Sequence, residues 1–322
     1  MKNILLFAAI LVLQVKLYGQ AVPNGTFENW NSISYTDPNG WNNGNLRDIQ
    51  RLGISSVTKV TGFSGFALRI QTNIVGTDTS DSYIINTNNP CSNPDQWTGG
   101  VPYSQQPTAI TGYYRYNLPG NDSALMIIIF RKNGVHIGDN IIMIRGTGSQ
   151  LAFAPFSFPV TCAGVPDTII IAAASSNKIS NIGTQNGSFL ELDNLAFAGT
   201  TQPIPDGNFE NWTAKSYDIP AGWETWGDGA SKTTSSYAGI YAVRLETIGS
   251  MCGGQNSSGI TTGYMTNSNG PAGGIPYSLT NDTLCGYYKY TSMGNDTAGI
   301  YVGLYNNGNP VGGNNKWLTA AA

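Results

Sequence analysis

Short stretches of alternating apolar and polar residues run along much of the chain. The segments 67–71 and 190–193 alternate in this way, which is typical of strands with one buried face. No segment keeps a helical period of apolar positions. The 40 glycines and 16 prolines are spread along the chain, as turns between many short strands require. The pattern therefore predicts an all-β protein, built as a sandwich or barrel.

The N-terminus departs from this pattern with one unbroken apolar run. The run Ile4–Leu13 follows the basic Lys2 and is too short to cross a bilayer. Gly19 is a small residue suited to cleavage before Gln20. We interpret residues 1–19 as a signal peptide and expect a secreted or cell-surface protein without a membrane span in its mature form. A membrane anchor is the alternative interpretation.

Five sequence blocks occur twice, in the same order. Two of them recur 182 residues later: Pro23–Trp30 as Pro205–Trp212, and Pro38–Trp41 as Pro220–Trp223. Three recur 174 residues later: Gly99–Tyr103 as Gly273–Tyr277, Gly112–Tyr116 as Gly286–Tyr290, and Gly120–Ala124 as Gly294–Ala298. A period of this length is a duplicated domain rather than a solenoid repeat.

The repeat divides the chain into two tandem copies. Copy one spans residues 23–198, residues 199–204 form a linker, and copy two spans residues 205–322. Nothing in copy two matches residues 150–197, a segment with three strand-like runs. Copy two is therefore predicted to be incomplete.

The composition excludes several classes of function. Only 11% of the residues are charged, the net charge is −3, and lysine and arginine form no cluster, so nucleic acid is not an expected partner. His136 is the sole histidine, which argues against a duplicated catalytic triad or a histidine-rich metal site. The repeated carboxylates lack a repeated acidic partner for sugar hydrolysis. We therefore expect no enzyme activity.

The tyrosine-rich blocks supply the candidate binding surface. Side chains alternate between the two faces of a strand, so Tyr113 and Arg115 share the face opposite Tyr114 and Tyr116. The basic residue marks the solvent face. The same reasoning places four residues of copy two outward: Tyr287, Lys289, Tyr301 and Tyr305. Gly303 would leave a gap for a flat ligand. The alternative is that tyrosine simply suits a half-buried pleated surface.

The strand that follows differs between the copies. In copy two it alternates, with Tyr301 and Tyr305 outward. In copy one the matching outward positions are mostly apolar: Leu125, Ile127 and Ile129. We therefore predict that this strand of copy one is central or covered.

The repeated motifs resemble those of a known family. An opening Asn/Asp-Gly-x-Phe-Glu, a Gly-Trp pair, Gly-x-x-Ala-x-Arg and a closing strand with Asp-Asn resemble carbohydrate-binding jelly rolls. The blocks 237–245, 274–277 and 286–290 are similar more specifically to the carbohydrate metabolism domain family of secreted and cell-surface proteins of Gram-negative bacteria. The resemblance covers most of both copies. It implies two tandem galactose-binding-like jelly-roll β-sandwiches, glycan association, and export as type IX secretion cargo.

The resemblance also implies a structural calcium ion. In the resembled jelly rolls, the glutamate after the opening Phe and the aspartate of the last strand meet at such an ion. Here those residues are Glu28 and Asp193, and carboxylates are ligands that Ca2+ prefers. The alternative is that Glu28 caps a turn and Asp193 is merely exposed.

The four cysteines lie two in each copy. In an oxidising compartment the simplest disulfide pairs are Cys91–Cys162 and Cys252–Cys285. Free thiols are the alternative.

Three functions follow from these features. The leading hypothesis is a secreted, non-catalytic module that binds a glycan or polysaccharide through aromatic faces and flanking polar groups. The second is a structural or adhesive spacer of a cell-surface protein. The third is a polysaccharide-processing enzyme, for which two carboxylates would have to converge in a cleft.

Overall fold

A computed structural model of the chain describes residues 21–87, 93–145, 148–177, 179, 183–249, 255–266, 270–278 and 283–319. The predicted signal peptide and its cleavage site lie outside these residues. The described chain forms two compact units, one comprising residues 21–277 and the other the residues after 277.

The structure is almost entirely β, as predicted. The elements up to residue 198 are β1 Trp30–Pro38, β2 Asn42–Asn43, α1 Asn45–Leu52, β3 Val57–Thr61, β4 Phe66–Gln71, β5 Ile74–Val75, β6 Asp78–Thr79, β7 Tyr83–Ile85, a 3-10 turn Pro94–Gln96, β8 Val101–Pro102, β9 Ala109–Leu118, β10 Ser123–Lys132, β11 Val135–Arg145, β12 Gly148–Pro159, β13 Thr168–Ala174 and β14 Phe189–Ala198. Those after it are β15 Trp212–Pro220, β16 Glu224–Trp226, β17 Ala230–Thr233, β18 Ala242–Leu245, β19 Ile248–Gly249, β20 Gln255–Asn256, β21 Gly259–Thr261, β22 Tyr264–Thr266, β23 Gly270–Ala272, β24 Ala298–Asn306 and β25 Asn309–Leu318.

Copy one forms a two-sheet jelly-roll sandwich, here called the first sandwich. One sheet has five strands in the order β12-β9-β14-β4-β3, and the other has six, in the order β11-β10-β13-β7-β2 with β8 beside β13. Inward side chains of both sheets form one core. Its members include Leu68, Ile70, Met126, Leu190 and Leu192. In the segments 67–71 and 190–193, the alternating apolar residues therefore point into the core, as the sequence pattern predicted.

The six-stranded sheet is buried on its second face as well. Leu125, Ile127 and Ile129 point away from the main core, yet they are buried in a second apolar cluster with Trp97 and Ile170. Strand β10 also lies between β11 and β13. The prediction of a central and covered strand is confirmed, and in the first sandwich the five-stranded sheet is the one that can present an accessible face.

One short helix was not predicted. In α1, Asn45, Asp48 and Gln50 are buried beside Ile49, so polar residues occupy positions that are usually apolar. The Asp48 carboxylate accepts hydrogen bonds from Ser56 and from the Asp81 backbone N–H. The helix could not be predicted from a period of apolar residues, because hydrogen bonds of buried polar side chains hold it in place. Among the described residues, no helix has the length and apolar content needed to cross a bilayer.

The two copies are joined by one antiparallel ladder between β1 and β15. These strands are counterparts in the repeat. Ser34 lies opposite Ser216, its own counterpart, at the middle of the ladder. The two ends carry the same pair twice, Trp30 with Pro220 and Trp212 with Pro38. The ladder is therefore symmetric with respect to exchange of the copies.

The segments that precede the two ladder strands are exchanged between the copies. Phe209 of copy two packs on Trp41 of copy one, with ring centroids 5.5 Å apart. Its counterpart Phe27 packs on Trp223 of copy two, at 5.2 Å. The backbone bonds have the same symmetry, with Asn39 N–H donating to Asn211 O and Ala221 N–H donating to Asn29 O, at 3.0 and 2.9 Å.

The exchange places part of copy two in the first sandwich. Phe209 is buried in its core together with Ile204 of the linker, and Trp212 packs against that core. Burying a side chain such as Phe209 contributes about 1.5–3 kcal/mol. The domain boundaries predicted from the repeat give the order of the copies along the chain. They do not show that each opening segment packs on the other copy.

The unit after residue 277 contains the hairpin of β24 and β25. The predicted tyrosine strand of copy two, residues 284–290, is not a strand in the structure, so that prediction was wrong. Its counterpart β9 is held between β12 and β14.

The predicted disulfides are not formed. Cys162 and Cys285 are free thiols, and the Cys162 Sγ donates to the Gly164 carbonyl of its own turn at 2.9 Å. The other two cysteines, Cys91 and Cys252, lie outside the described residues.

The exchange predicts that Phe209→Ala destabilises copy one although Phe209 belongs to copy two. We expect a loss of about 3–5 kcal/mol in the free energy of unfolding, as for other buried phenylalanines. Hydrogen exchange of the purified chain should rise in β4 and β14. Phe27→Ala is the matched control and should leave these strands protected. If hydrogen exchange in the Phe209 variant became faster only in residues after 212, the swap of opening segments between the copies would be contradicted.

Candidate functional site

The face of the five-stranded sheet that points away from the core carries the candidate site, and we call it the outer face. Tyr114 and Tyr116 of β9 pack against the core. Tyr113 and Arg115 therefore point to the other side of the strand, as the alternation predicted. They lie opposite Asp193 and Glu191 of the neighbouring strand β14.

A row of three charged side chains crosses the outer face. Glu191 lies directly opposite Arg69 of β4 on one side and Arg115 of β9 on the other. Arg69 Nη1 lies 3.3 Å from Glu191 Oε1, and Arg115 Nε donates to Glu191 Oε2. Glu191 is completely buried, whereas the side chains of Arg69 and Arg115 are 29% and 30% exposed. The side of this row that faces solvent is therefore cationic.

Aromatic rings hold both guanidinium groups in place. The Arg69 guanidinium lies over the Phe189 ring, 3.9 Å from its centroid, and that of Arg115 lies over Phe153, at 4.8 Å. Such cation–π contacts contribute about 0.5–1 kcal/mol each at exposed sites. Together with Glu191, they fix the two cations on the sheet.

An exposed aromatic pair lies beside the charged row. The rings of Phe63 and Tyr113 are stacked, with centroids 3.6 Å apart and planes at 8°. Phe63 is 53% exposed although it is a large apolar residue. Because one face of its ring rests on Tyr113, the other face is open to a ligand.

Two carboxylates hold the loop that carries Phe63. Ser64 N–H donates to Asp193 Oδ2 at 3.1 Å, and Phe66 N–H donates to Glu210 Oε1 at 3.0 Å. The loop needs its glycine at position 65, where φ is +60° and a Cβ would collide with the Glu210 carboxylate. Glu210 reaches this loop from copy two through the exchanged segment, so the second copy helps to position the ring.

The predicted pair Glu28 and Asp193 is not brought together by any recorded contact. Glu28 Oε1 accepts hydrogen bonds from Ile240 and Tyr241, at 3.0 and 3.1 Å. Its repeat counterpart, Glu210, is the glutamate near Asp193. The reason is the exchange of the opening segments, which sends each glutamate to the other copy.

Asp193 is buried, against the alternative that it is merely exposed. Burial raises the pKa of its carboxyl, backbone N–H donors oppose that change, and the nearby Glu210 carboxylate raises the pKa further. The Asp193 Oδ1 atom is buried and has no hydrogen-bond partner. Within the described residues, no three His, Cys, Asp or Glu side chains are grouped for a metal ion.

The candidate residues of copy two lie after residue 277, on their own unit. Tyr287 and Tyr301 are 75% and 64% exposed, and Lys289 is exposed. The predicted gap at Gly303 is filled, since a Cβ there would lie 2.9 Å from the Tyr305 ring and 3.0 Å from the Tyr301 hydroxyl. A side-chain hydrogen bond with Tyr305 raises the pKa of Tyr301. The two rings thus occupy the space that a flat ligand was expected to fill.

Sequence reasoning missed most of the outer face. Phe63, Arg69 and Glu191 were not predicted as site residues because they come from segments that are distant along the chain. A signal for Phe63 existed. Its counterpart 174 residues later is Tyr237, also aromatic and 73% exposed, and each lies two residues before a glycine that opens an Ala-x-Arg strand.

Comparison with known proteins gives only weak likenesses. No family model and no curated protein matches the sequence. Among solved structures, a Bacteroides thetaiotaomicron protein described as a candidate glycoside hydrolase is 15% identical with a TM-score of 0.38, and the match covers 50% of this chain and 63% of that one. The family 11 carbohydrate-binding module of a Clostridium thermocellum cellulase is 13% identical with a TM-score of 0.25, over 53% of this chain and 89% of the module. An arabinose-bound α-L-arabinofuranosidase is 12% identical with a TM-score of 0.28, over 56% and 25%.

The raised pKa of Asp193 predicts a pH dependence of stability. A carboxyl whose pKa is higher in the folded than in the unfolded state stabilises the fold below its unfolded pKa, and this contribution is lost as pH rises through the folded pKa. In chelator, Asp193→Asn should therefore gain free energy of unfolding relative to wild type as pH rises from about 4.

Urea titrations across this pH range measure the effect. Asp95→Asn, at an exposed position of the 3-10 turn, is the control and should follow the wild type. Parallel pH profiles for Asp193→Asn and wild type would show that Asp193 carries no such penalty.

Proposed function

We propose that this protein is a secreted, non-catalytic glycan-binding module and that copy one binds sugar on the outer face. The observation that carries the proposal is the open ring of Phe63, stacked on Tyr113 beside Arg115. Aromatic faces stack on the C–H faces of sugar rings, and neighbouring polar groups fix their orientation.

The supporting polar groups are already in place. Arg69 and Arg115 are each held by Glu191 and by an aromatic ring, so little side-chain freedom remains to be lost on binding. Their N–H groups suit the hydroxyl and ring oxygens of a sugar. The row runs across three neighbouring strands, about 10 Å at the strand spacing of a sheet, which favours an extended ligand such as an oligosaccharide.

The calcium site is proposed at Asp193 and Glu210 rather than at Asp193 and Glu28. The two carboxylates belong to one loop site, and the unpartnered Asp193 Oδ1 fits a hard cation as its missing partner. Backbone oxygens and water would complete the ligand set. The ion would add rigidity to the loop that carries Phe63.

Phe63→Ala should weaken glycan binding with little change in folding. Loss of an interface aromatic commonly costs about 1–3 kcal/mol, or about 5- to 150-fold in affinity. A glycan array of the mature chain would identify the ligand, and titration calorimetry would compare the variants.

The matched control is Phe66→Ala, in the same loop. Phe66 is 44% exposed, but its side chain alternates away from Arg69 and the outer face. Full affinity in Phe63→Ala, with loss in Tyr301→Ala, would move the site to the hairpin after residue 277. No binding to any glycan by the wild type would favour the structural or adhesive spacer.

Calcium should raise the melting temperature of the mature chain relative to chelator. Binding to the native state stabilises by about 2.7 kcal/mol at a hundredfold excess over Kd. Asp193→Asn and Glu210→Gln should lose this response, and Glu28→Gln should keep it. If Glu28→Gln lost the calcium response and Glu210→Gln kept it, the pair of Glu28 and Asp193 expected from the sequence would be supported instead.

A further inference from the structure

We propose that the outer face of copy one selects an acidic glycan and binds the carboxylate of a uronic acid residue between Arg69 and Arg115. This inference rests on the proposed function and names the class of sugar that the same site would take. It depends on the charge and geometry of the row formed with Glu191, not on the aromatic pair.

The row has one more positive charge than its own carboxylate can balance. Glu191 is completely buried, while both arginines are about one third exposed. An approaching ligand therefore meets guanidinium groups and no free carboxylate from this row. The other acids near this face, Asp193 and Glu210, lie at the Phe63 loop and are engaged by Ser64 and Phe66.

The arginines present donors suited to a planar anion. Each guanidinium lies over a ring, Phe189 or Phe153, and each arginine side chain keeps about 30% of its surface exposed. Arginine binds carboxylates through paired N–H groups in one plane. The carboxylate of a uronate would accept hydrogen bonds from the exposed N–H groups of the two arginines while its pyranose ring stacks on Phe63.

The basic character of this position recurs in a chain that has few basic residues. Lysine and arginine together number 16 in 322 residues. Even so, the shared Ala-x-Arg sequence places Arg244 of copy two where copy one has Arg69, and the tyrosine block places Lys289 where copy one has Arg115.

The test compares acidic polymers with their own neutral forms. Polygalacturonate, alginate and hyaluronan are offered to the mature chain beside carboxyl-reduced samples of each, in calorimetry at low salt. At least one acidic polymer should bind about tenfold or more tightly than its reduced form, the difference expected for a hydrogen bond to a charged group. Dextran sulfate serves as a probe for charge without a carboxylate.

Arg115→Gln should remove most of this preference, and Arg115→Lys should restore it only in part, because lysine keeps the charge but lacks the planar fork. Melting temperatures check that both variants fold. If Arg115→Gln fails to fold, the affinities of the wild type for acidic and carboxyl-reduced polymers still show whether the site prefers a carboxylate.

Three outcomes would overturn the inference. Equal affinity for acidic and reduced polymers, lost in Phe63→Ala, would leave the proposed glycan site standing and remove the acidic selectivity. Dextran sulfate binding as tightly as the best uronate polymer would replace carboxylate recognition with a general attraction to anions. Binding to neutral glycans of an array but to none of the three acidic polymers would also refute it, whereas no binding to any glycan would refute the proposed function itself.

Discussion

The antiparallel ladder between β1 and β15 is the interaction on which the unit of residues 21–277 depends. The opening segment of each copy is joined directly to its ladder strand. Phe27 lies three residues before Trp30, and Phe209 lies three residues before Trp212. Once the two strands pair with Ser34 opposite Ser216, each opening segment emerges beside the other copy. Because the partner is on the same chain, its effective concentration favours this exchange over exchange between molecules.

The exchange makes the binding face of copy one dependent on copy two. Glu210 reaches the Phe66 N–H of the loop that carries Phe63, and Asp193 of copy one holds Ser64 in the same loop. A residue that belongs to copy two in the sequence thus positions a ring that stacks on Tyr113. In this arrangement, duplication does more than repeat a domain, since each copy supplies a support that the other lacks.

Periodicity predicted the faces of single strands correctly but could not predict what crosses between strands. The alternation in β9 placed Tyr113 and Arg115 outward, and the apolar outward positions of β10 correctly indicated a covered strand. Helix α1 was missed because Asn45, Asp48 and Gln50 fill buried positions through hydrogen bonds. The Glu28 and Asp193 pair could not be corrected from the sequence, because Glu28 and Glu210 occupy equivalent positions of the repeat and only the register of the ladder decides which one is near.

The buried Glu191 explains why the outer face is organised as it is. A carboxylate removed from water costs several kcal/mol unless it is paired, and an apolar residue at this position would pack with less cost. One arginine would suffice to neutralise it. With an arginine on each side, the carboxylate spaces two guanidiniums across β4, β14 and β9 and leaves their outer edges exposed. Glu191 is then best understood as a positioning residue, whose burial keeps it out of reach of ligands while it holds the groups that meet them.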